Sequence, residues 1–189
     1  AEANVTVDWS EPSSFYERRG KRLLDIGVAL AASLFFAAPI AGIACINIIC
    51  YRQLFYRDAR VGKNGRLFQM TKFASMHRGE VTAFGALLRF TALDELPQLM
   101  HVLRGEMSLV GPRPHTVEQF VRLSSLPGYT ARTRVLPGMT GLAQLAGHCD
   151  KDGLREQMIS TDCEYRQRCS LRVDLLTLFR TFAVFFTGH

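Results

Sequence analysis

Apolar positions run almost unbroken over residues 23–50, a stretch whose only charge is Asp25 and whose only proline is Pro39. At about 1.5 Å per residue, a continuous helix of that length reaches roughly 42 Å, enough to cross a bilayer. The flanks argue for another arrangement. Arg18, Arg19, Lys21 and Arg22 precede the run, while Arg52, Arg57, Arg60, Lys63 and Arg66 follow it. Cationic flanks favour the cytoplasmic side, so both ends ask for the same face. Pro39 withdraws a backbone donor and crowds the preceding turn, dividing the run into 23–38 and 40–50, each short for a crossing. These features favour a re-entrant, proline-broken membrane helix over a spanning helix or a buried core helix.

Past Tyr51 the period changes. Residues 54–61 and 67–76 mix aromatic, β-branched and cationic side chains around Gly62-Lys63-Asn64-Gly65, where Asn-Gly suits positive φ, which predicts a β-hairpin. Residues 81–90 and 94–103 show helical spacing, the second with Leu96, Leu99, Met100 and Leu103 on one face and Gly105 placed to end it. A short strand is expected at 107–110 and a weakly amphipathic helix at 117–126. Pro127-Gly128 and Pro137-Gly138 punctuate, so loops are expected to fill 127–153. Residues 154–168 read as a charged helix. Over 173–186 an apolar stripe of Leu175, Leu176, Phe179, Phe182 and Phe186 is too short to span; it packs on the domain or lies in the headgroup layer. The expected organisation is α/β: an N-terminal arm (1–22) lacking a secretory signal, the re-entrant helix (23–50), and a cytosolic domain (51–189) of helices and a hairpin, with amphipathic interfacial helices.

Composition narrows the classes. The 189 residues carry a formal net charge of +6, with 48% hydrophobic and 21% charged residues, and a mean hydropathy of +0.05. Disorder and collagen-like repeats are excluded. Apolar excess beside cationic excess suits an anionic membrane or a phosphate-rich ligand. The five cysteines form no CxxC pair and the five histidines no HxxxH, which speaks against a disulfide framework or a zinc site and for a reducing compartment.

Two segments carry candidate chemistry. In Arg89-Phe90-Thr91-Ala92-Leu93-Asp94-Glu95-Leu96-Pro97-Gln98, proline is tolerated only in a first helical turn, so Pro97 predicts a helix opening at about Asp94 with both carboxylates at its positive end. Adjacent acids project about 100° apart on a helix, so they take different tasks at one site: one attacks while the other binds a cation. Ordinary helix capping explains the same pair without function. In Gly111-Pro112-Arg113-Pro114, two prolines stiffen the backbone about an arginine, which lowers the entropy lost when its fork clamps a phosphate; a plain turn is the alternative. Lys72, Arg89, Arg132 and Arg134 lie near these segments as candidate cations or solvated surface charges. Neither GxxxxGK[ST] nor GxGxxG occurs, so a nucleotide would be held by loops and cationic side chains.

Over residues 21–186 the chain resembles the bacterial sugar transferases, the monotopic phosphoglycosyl transferases that act on polyprenol phosphate, in their short, core-only form. The resemblance rests on Lys21-Arg22 with Asp25, the proline-broken segment, Arg60-Val61-Gly62-Lys63-Asn64-Gly65, Lys72-Phe73, Leu93-Asp94-Glu95-Leu96-Pro97-Gln98, and Gly111-Pro112-Arg113-Pro114. It continues through Pro137-Gly138-Met139-Thr140-Gly141-Leu142-Ala143-Gln144 and Asp162-Cys163-Glu164-Tyr165 to Asp174. It implies transfer of a sugar 1-phosphate from a UDP-sugar to undecaprenyl phosphate with release of UMP, the first membrane step of glycan or exopolysaccharide synthesis. Asp94 would be the nucleophile, giving an aspartyl-phosphosugar intermediate, and Glu95 would help hold Mg²⁺. Lys72, Arg89, Pro112, Arg113, Pro114, Arg134 and Gln144 would bind substrate, and Pro39 would break the membrane helix. The implied location is the cytoplasmic face of the bacterial inner membrane, with membrane lipid as a partner and no nucleic acid; a homo-oligomer is left open. Two departures stand out: Ala38-Pro39 where the family has Ser-Pro, and Ala74 where it typically has arginine after Lys-Phe. The competing class is a basic membrane- or nucleic-acid-binding module in which Asp94 merely caps a helix.

Overall fold

The computed structural model describes residues 16–149 and 152–187, so most of the expected N-terminal arm lies outside them. A π-helical turn at Tyr16–Gly20 leads into α1 (Lys21–Phe35), and α2 (Ala37–Ile46) follows, extended by a further π-helical turn at Asn47–Tyr51. The helices meet at a 60° bend. The bend falls at Phe36 (φ −90°, ψ 10°) rather than at Pro39. Pro39 occupies the first turn of α2, where a missing donor costs little, and the bond it withholds is the one the Phe35 carbonyl would have accepted, one turn back. Phe36 N still bonds the Ala32 carbonyl (2.9 Å) and Ile40 N bonds that of Phe36 (2.9 Å), so each helix keeps its ladder up to the break.

Among the described residues no single helix is long and apolar enough to cross a membrane; the bent pair together meets the length and composition of a broken span or a re-entrant loop. One side of the pair is buried, through Asp25 and Ala29 of α1 and Ile43 of α2, whereas Leu23, Leu30, Leu34, Phe35, Ile48 and Ile49 are exposed.

The hairpin forms as expected: β1 (Phe55–Val61) pairs antiparallel with β2 (Leu67–Phe73), from Phe55 opposite Phe73 to Val61 opposite Leu67. Asn64 (φ 56°) and Gly65 (φ 75°) take the left-handed conformation in the connecting turn. A minimal ribbon of β3 (Met76–His77) and β4 (Glu80–Val81) leads to α3 (Ala83–Phe90), capped by Thr82, whose Oγ1 accepts from Gly85 N at 2.9 Å.

The next helix, α4 (Gln98–Arg104), starts later than the sequence suggests. Pro97 has no N–H to bond the Leu93 carbonyl, so that carbonyl takes Leu96 N instead (3.3 Å), and Leu93–Glu95 winds as a 3₁₀ turn ahead of the helix. Asp94 and Glu95 therefore sit on that tighter turn. Arg22 closes the other end of α4, donating to the Val102 and Leu103 carbonyls.

After α4, β5 (Ser108–Val110) pairs in parallel with β6 (Gly138–Thr140), and the capped helix α5 (Val117–Leu123) lies between them in sequence. This pairing, together with α6 (Leu142–Leu145) and a 3₁₀ stretch at Tyr129–Arg134, replaces the loops expected over 127–153. Gly138 is more than punctuation: a Cβ there would stand 2.1 Å from Gly111 N, so only glycine admits the strands at this spacing. Helices α7 (Arg155–Arg168) and α8 (Leu171–Thr187) complete the chain.

The main apolar core joins Ala29 to Leu99, Val102, Met107, Val110 and Tyr165, so α1 packs onto α4 and β5 and shares their core with α7. A second cluster, Ile43 with Phe73 and Leu88, ties α2 to the hairpin and α3. Buried polar groups reinforce these joints. Asp25 accepts from Ser108 Oγ and Leu109 N (both 3.0 Å), and fully buried Asp174 accepts from Tyr16 Oη (2.6 Å), Lys21 Nζ (2.7 Å) and Tyr165 Oη (2.8 Å). The late Asp-Cys-Glu-Tyr and Asp174 motif thus fastens the broken helix to the C-terminal helices.

Candidate active site

Strand alternation sends the two faces of the hairpin to different tasks. Tyr56 stands opposite Lys72, and with Arg60 and Met70 these side chains face a cavity of about 420 Å³. The opposite wall is the segment from Arg89 to Glu95. Ala92 has φ 49°, ψ 17°, a left-handed conformation that costs a non-glycine residue about 1–2 kcal/mol. It turns the chain sharply between the end of α3 and the 3₁₀ turn, which brings Asp94 and Glu95 back toward the hairpin. Local strain beside the acidic pair marks the spot independently of any motif.

Asp94 is buried, at 7% exposure. Burial is the main cause that raises its carboxyl above the usual carboxylate range; Lys72 and Arg89 oppose the shift and Glu95 adds to it. Glu95 is half-buried and ion-paired with Lys72 Nζ. Arg89 donates Nε to Ser75 Oγ at 2.8 Å, which fixes its fork and leaves both Nη atoms for another acceptor. A buried carboxylate beside a second acid and two cations in an open cavity suits attack on an anionic phosphorus centre.

The expected site residues divide. Lys72, Arg89, Asp94 and Glu95 share the main cavity. Arg113 and Pro114 line an adjoining crevice together with Arg60, Lys72, Glu95 and Gln98. Pro112 lies behind them, its carbonyl accepting from Gly138 N at 2.9 Å. Gln144 donates to the Met139 carbonyl at 3.0 Å, bracing β6, and Arg134 is exposed on the 129–134 turn; neither lines the cavity or the crevice. Arg132 has a supporting place: it pairs with Asp162 (2.8 Å), both almost fully buried, and its Nη2 donates to the Arg113 carbonyl at 2.9 Å. That pins the stiff Pro-Arg-Pro segment from behind. Nearby His115 bonds Tyr129 Oη at 2.7 Å, and burial with the Arg132 and Arg113 charges pushes its pKa down to about 2, so the ring is neutral.

Sequence reasoning missed Tyr56, Ser75 and the siting of Arg60. Arg60 Nη1 donates to the Pro114 carbonyl (3.1 Å) and Nη2 pairs with Asp58 (2.7 Å), joining hairpin to Pro-Arg-Pro segment. The usable signal was the hairpin's own alternation, since Tyr56, Arg60, Met70 and Lys72 share one face once the register is set.

For a metal, no group of three or more histidine, cysteine or acidic side chains clusters among the described residues. Mg²⁺ in phosphate sites takes one or two carboxylates, with phosphate oxygens and water filling its octahedron, and the half-buried Glu95 carboxylate on the cavity wall fits that demand.

Comparison with known proteins identifies the chain's family. The profile of the family described as bacterial sugar transferase matches residues 16–188. The chain is 39% identical over 180 residues to a UDP-glucose:undecaprenyl-phosphate glucose-1-phosphate transferase of Caulobacter vibrioides, covering 85% of this chain and 67% of that protein. It is 34% identical to a protein of the same name in Escherichia coli, covering 92% of this chain and 41% of that protein, so it spans less than half of the latter. Against the exopolysaccharide production protein ExoY of Rhizobium meliloti it is 33% identical, over 85% of this chain and 83% of that one. With the whole sequence from the first described helical turn to the end of α8 inside the match, the chain belongs to the bacterial sugar transferase family.

Proposed function

We propose that this protein transfers a sugar 1-phosphate from a UDP-sugar to undecaprenyl phosphate, releasing UMP, in two displacements through Asp94, as an early membrane step in exopolysaccharide or related glycan synthesis. The observation that carries the reading is the buried Asp94 carboxylate facing a cavity of about 420 Å³ beside Glu95, Lys72 and Arg89, in a chain whose relatives are named for this transfer.

In the first displacement an Asp94 carboxylate oxygen bonds to the β-phosphorus, the bond to the bridging oxygen breaks, and UMP leaves with that oxygen. In the second an oxygen of the lipid phosphate bonds to the same phosphorus and the bond to Asp94 breaks, which restores the carboxylate and gives the lipid diphosphosugar. Arg89 offers its Nη edge to phosphate oxygens, and Arg113, on its pinned backbone, meets the site from the crevice. Lys72 has two partners to choose between: it holds Glu95 in the resting site and turns to phosphate when substrate enters. Glu95 would hold Mg²⁺, which when bound neutralises diphosphate oxygens that otherwise repel the nucleophile.

The exposed apolar outer side of the broken helix pair, with the exposed Leu175, Phe179 and Phe182 of α8, supports a monotopic seat on the cytoplasmic leaflet of the inner membrane. Such a seat serves one water-soluble and one lipid substrate. The deciding measurement is mass analysis of the peptide containing residue 94 after mixing the protein with UDP-sugar alone. A mass gain of one sugar phosphate with stoichiometric UMP release is expected; conditions that support turnover yet never yield the adduct would reject the mechanism.

A further inference from the structure

The face of the hairpin turned away from the carboxylates lines a second cavity, of about 400 Å³. Its hairpin wall is the odd-numbered set Phe55, Arg57, Thr71 and Phe73, and Phe55 and Phe73 stack with ring centroids 5.6 Å apart. The remaining walls are Leu96, Pro97, Leu99 and Met100 from the α4 side and Ser33 and Ile40, which stand on either side of the bend between α1 and α2. We infer that this cavity seats the first isoprene units of the polyprenyl phosphate acceptor, with its anionic head drawn along a rim that carries Arg57 and Arg104. The inference rests on the proposed transfer reaction and specifies where one of its substrates lies.

Three observations favour that occupant. The first is continuity with the chemistry. Phe73 lines both cavities, and Leu96-Pro97 follow Asp94-Glu95 directly in the chain, so the cavity adjoins the turn that carries Asp94. The second is charge. Arg57 and Arg104 are exposed cations, and no acidic side chain lines the cavity, an arrangement complementary to a phosphate. The third is that His101 and Thr71, the neutral polar groups on the hairpin and α4 walls, are already bonded. His101 uses both ring nitrogens, Nε2 accepting from Thr71 N (3.1 Å) and Nδ1 bonding Glu106 (2.5 Å), and Thr71 Oγ1 donates to the Gln69 carbonyl (3.3 Å). A sugar or base entering here would exchange its hydrogen bonds with water for aromatic and aliphatic walls, which costs free energy, whereas a hydrocarbon chain gains by the same move. The position beside the helix bend, whose outer side is apolar and exposed, leaves the distal chain in lipid.

The test uses the full chain in lipid nanodiscs and a short polyprenyl phosphate bearing a photoreactive terminal group. Label is expected on peptides containing Phe55 to Arg57 or Leu96 to Arg104, suppressed by excess undecaprenyl phosphate and not by equal phosphatidylglycerol. Label confined to other peptides, or suppressed equally by the phospholipid, overturns the assignment, the latter by making the cavity a general lipid groove. A second arm uses Ser33→Phe, which fills the cavity from α1: the acceptor KM should rise at least about tenfold while the donor-only adduct on Asp94 still forms. An unchanged acceptor KM overturns the lipid site and leaves the proposed function standing. Absence of the adduct in the unaltered protein would instead sink that function. Should Ser33→Phe fail to fold, the photolabelling of the unaltered protein decides.

Discussion

At the level of single residues, the burial that raises the Asp94 carboxyl has consequences that can be separated by pH. In the proposed mechanism Asp94 attacks in its ionised form, so the rate of the donor-only UMP burst should fall on acidification through a limb lying above the ordinary aspartate value of about 3.9. Glu95 raises that limb and Lys72 lowers it, so Glu95→Gln should move it to lower pH and Lys72→Met to higher pH, both read from burst rate against pH. Asp94→Asn should reduce turnover at least about 10³-fold, since the amide is not a nucleophile. Its effect on stability has the opposite sense. A carboxyl whose folded-state pKa is raised favours the folded state in its protonated form, and that contribution is lost as pH rises through the folded pKa. At neutral pH the unaltered protein therefore carries the cost of a buried charge that asparagine does not, and Asp94→Asn should melt at a higher temperature. The gain should vanish below about pH 3.9, where aspartate is protonated in both states. A variant both dead and less stable at neutral pH would mean that Asp94 serves the fold first.

At the level of elements, two joints hold the cations in place and each can be broken. The α3 helix packs so closely on the end of β2 that a Cβ at Gly85 would stand 1.8 Å from the Ser75 carbonyl oxygen, on backbone that cannot swing aside. Gly85→Ala should cost about 1–3 kcal/mol and, by moving Ser75 away from Arg89, raise the donor KM; thermal melting and donor kinetics check the two effects. The other joint is the buried Arg132–Asp162 pair between the 129–134 turn and α7. Arg132→Ala strands a buried carboxylate and should cost about 3–5 kcal/mol in denaturant unfolding, while Arg132→Met with Asp162→Leu should recover most of that loss. Neither joint is visible in periodicity. What periodicity does reveal is the hairpin, whose alternation and Asn64-Gly65 turn are local properties, and the helices α3, α5, α7 and α8, each written in consecutive residues. The acidic pair and the Pro-Arg-Pro segment were legible as chemistry because residue types alone announce them. The parallel pairing of β5 with β6 was not, because two three-residue strands 30 positions apart leave no pattern longer than a turn, and Gly138 reads as a breaker until its neighbour Gly111 is known. The late start of α4 follows from a single missing donor at Pro97, and the place of Arg132 depends on Asp162, which the sequence sets thirty residues away.

Across the whole molecule, the broken helix pair and the elements of the candidate site form one packed body, because Ala29 and Ile43 belong to the cores that carry α4, β5 and the end of β2. The outer sides of α1 and α2 are left apolar and exposed, with Leu34 at 80%, Phe35 at 79% and Ile49 at 77% exposure, and water is a poor environment for so continuous a surface. Each leg is too short to cross alone: α1, with 15 residues, rises about 22 Å against a hydrocarbon core of roughly 30 Å. The 60° bend turns the second leg away from the first leg's direction, and Arg22 and Asp25 at the start of α1 are bound into the domain that carries the site. A chain entering and leaving by one leaflet keeps Arg19 and the hairpin tip at Asn64 on the same side, whereas a spanning helix separates them. Single cysteines introduced at those two positions, in a background where the exposed Cys45 and Cys50 are replaced, should both be protected from a membrane-impermeant maleimide in intact cells and both react once the cells are permeabilised. Labelling of one and not the other in intact cells would place a complete crossing between residues 19 and 64, and the proposed one-leaflet seat would give way to a spanning helix.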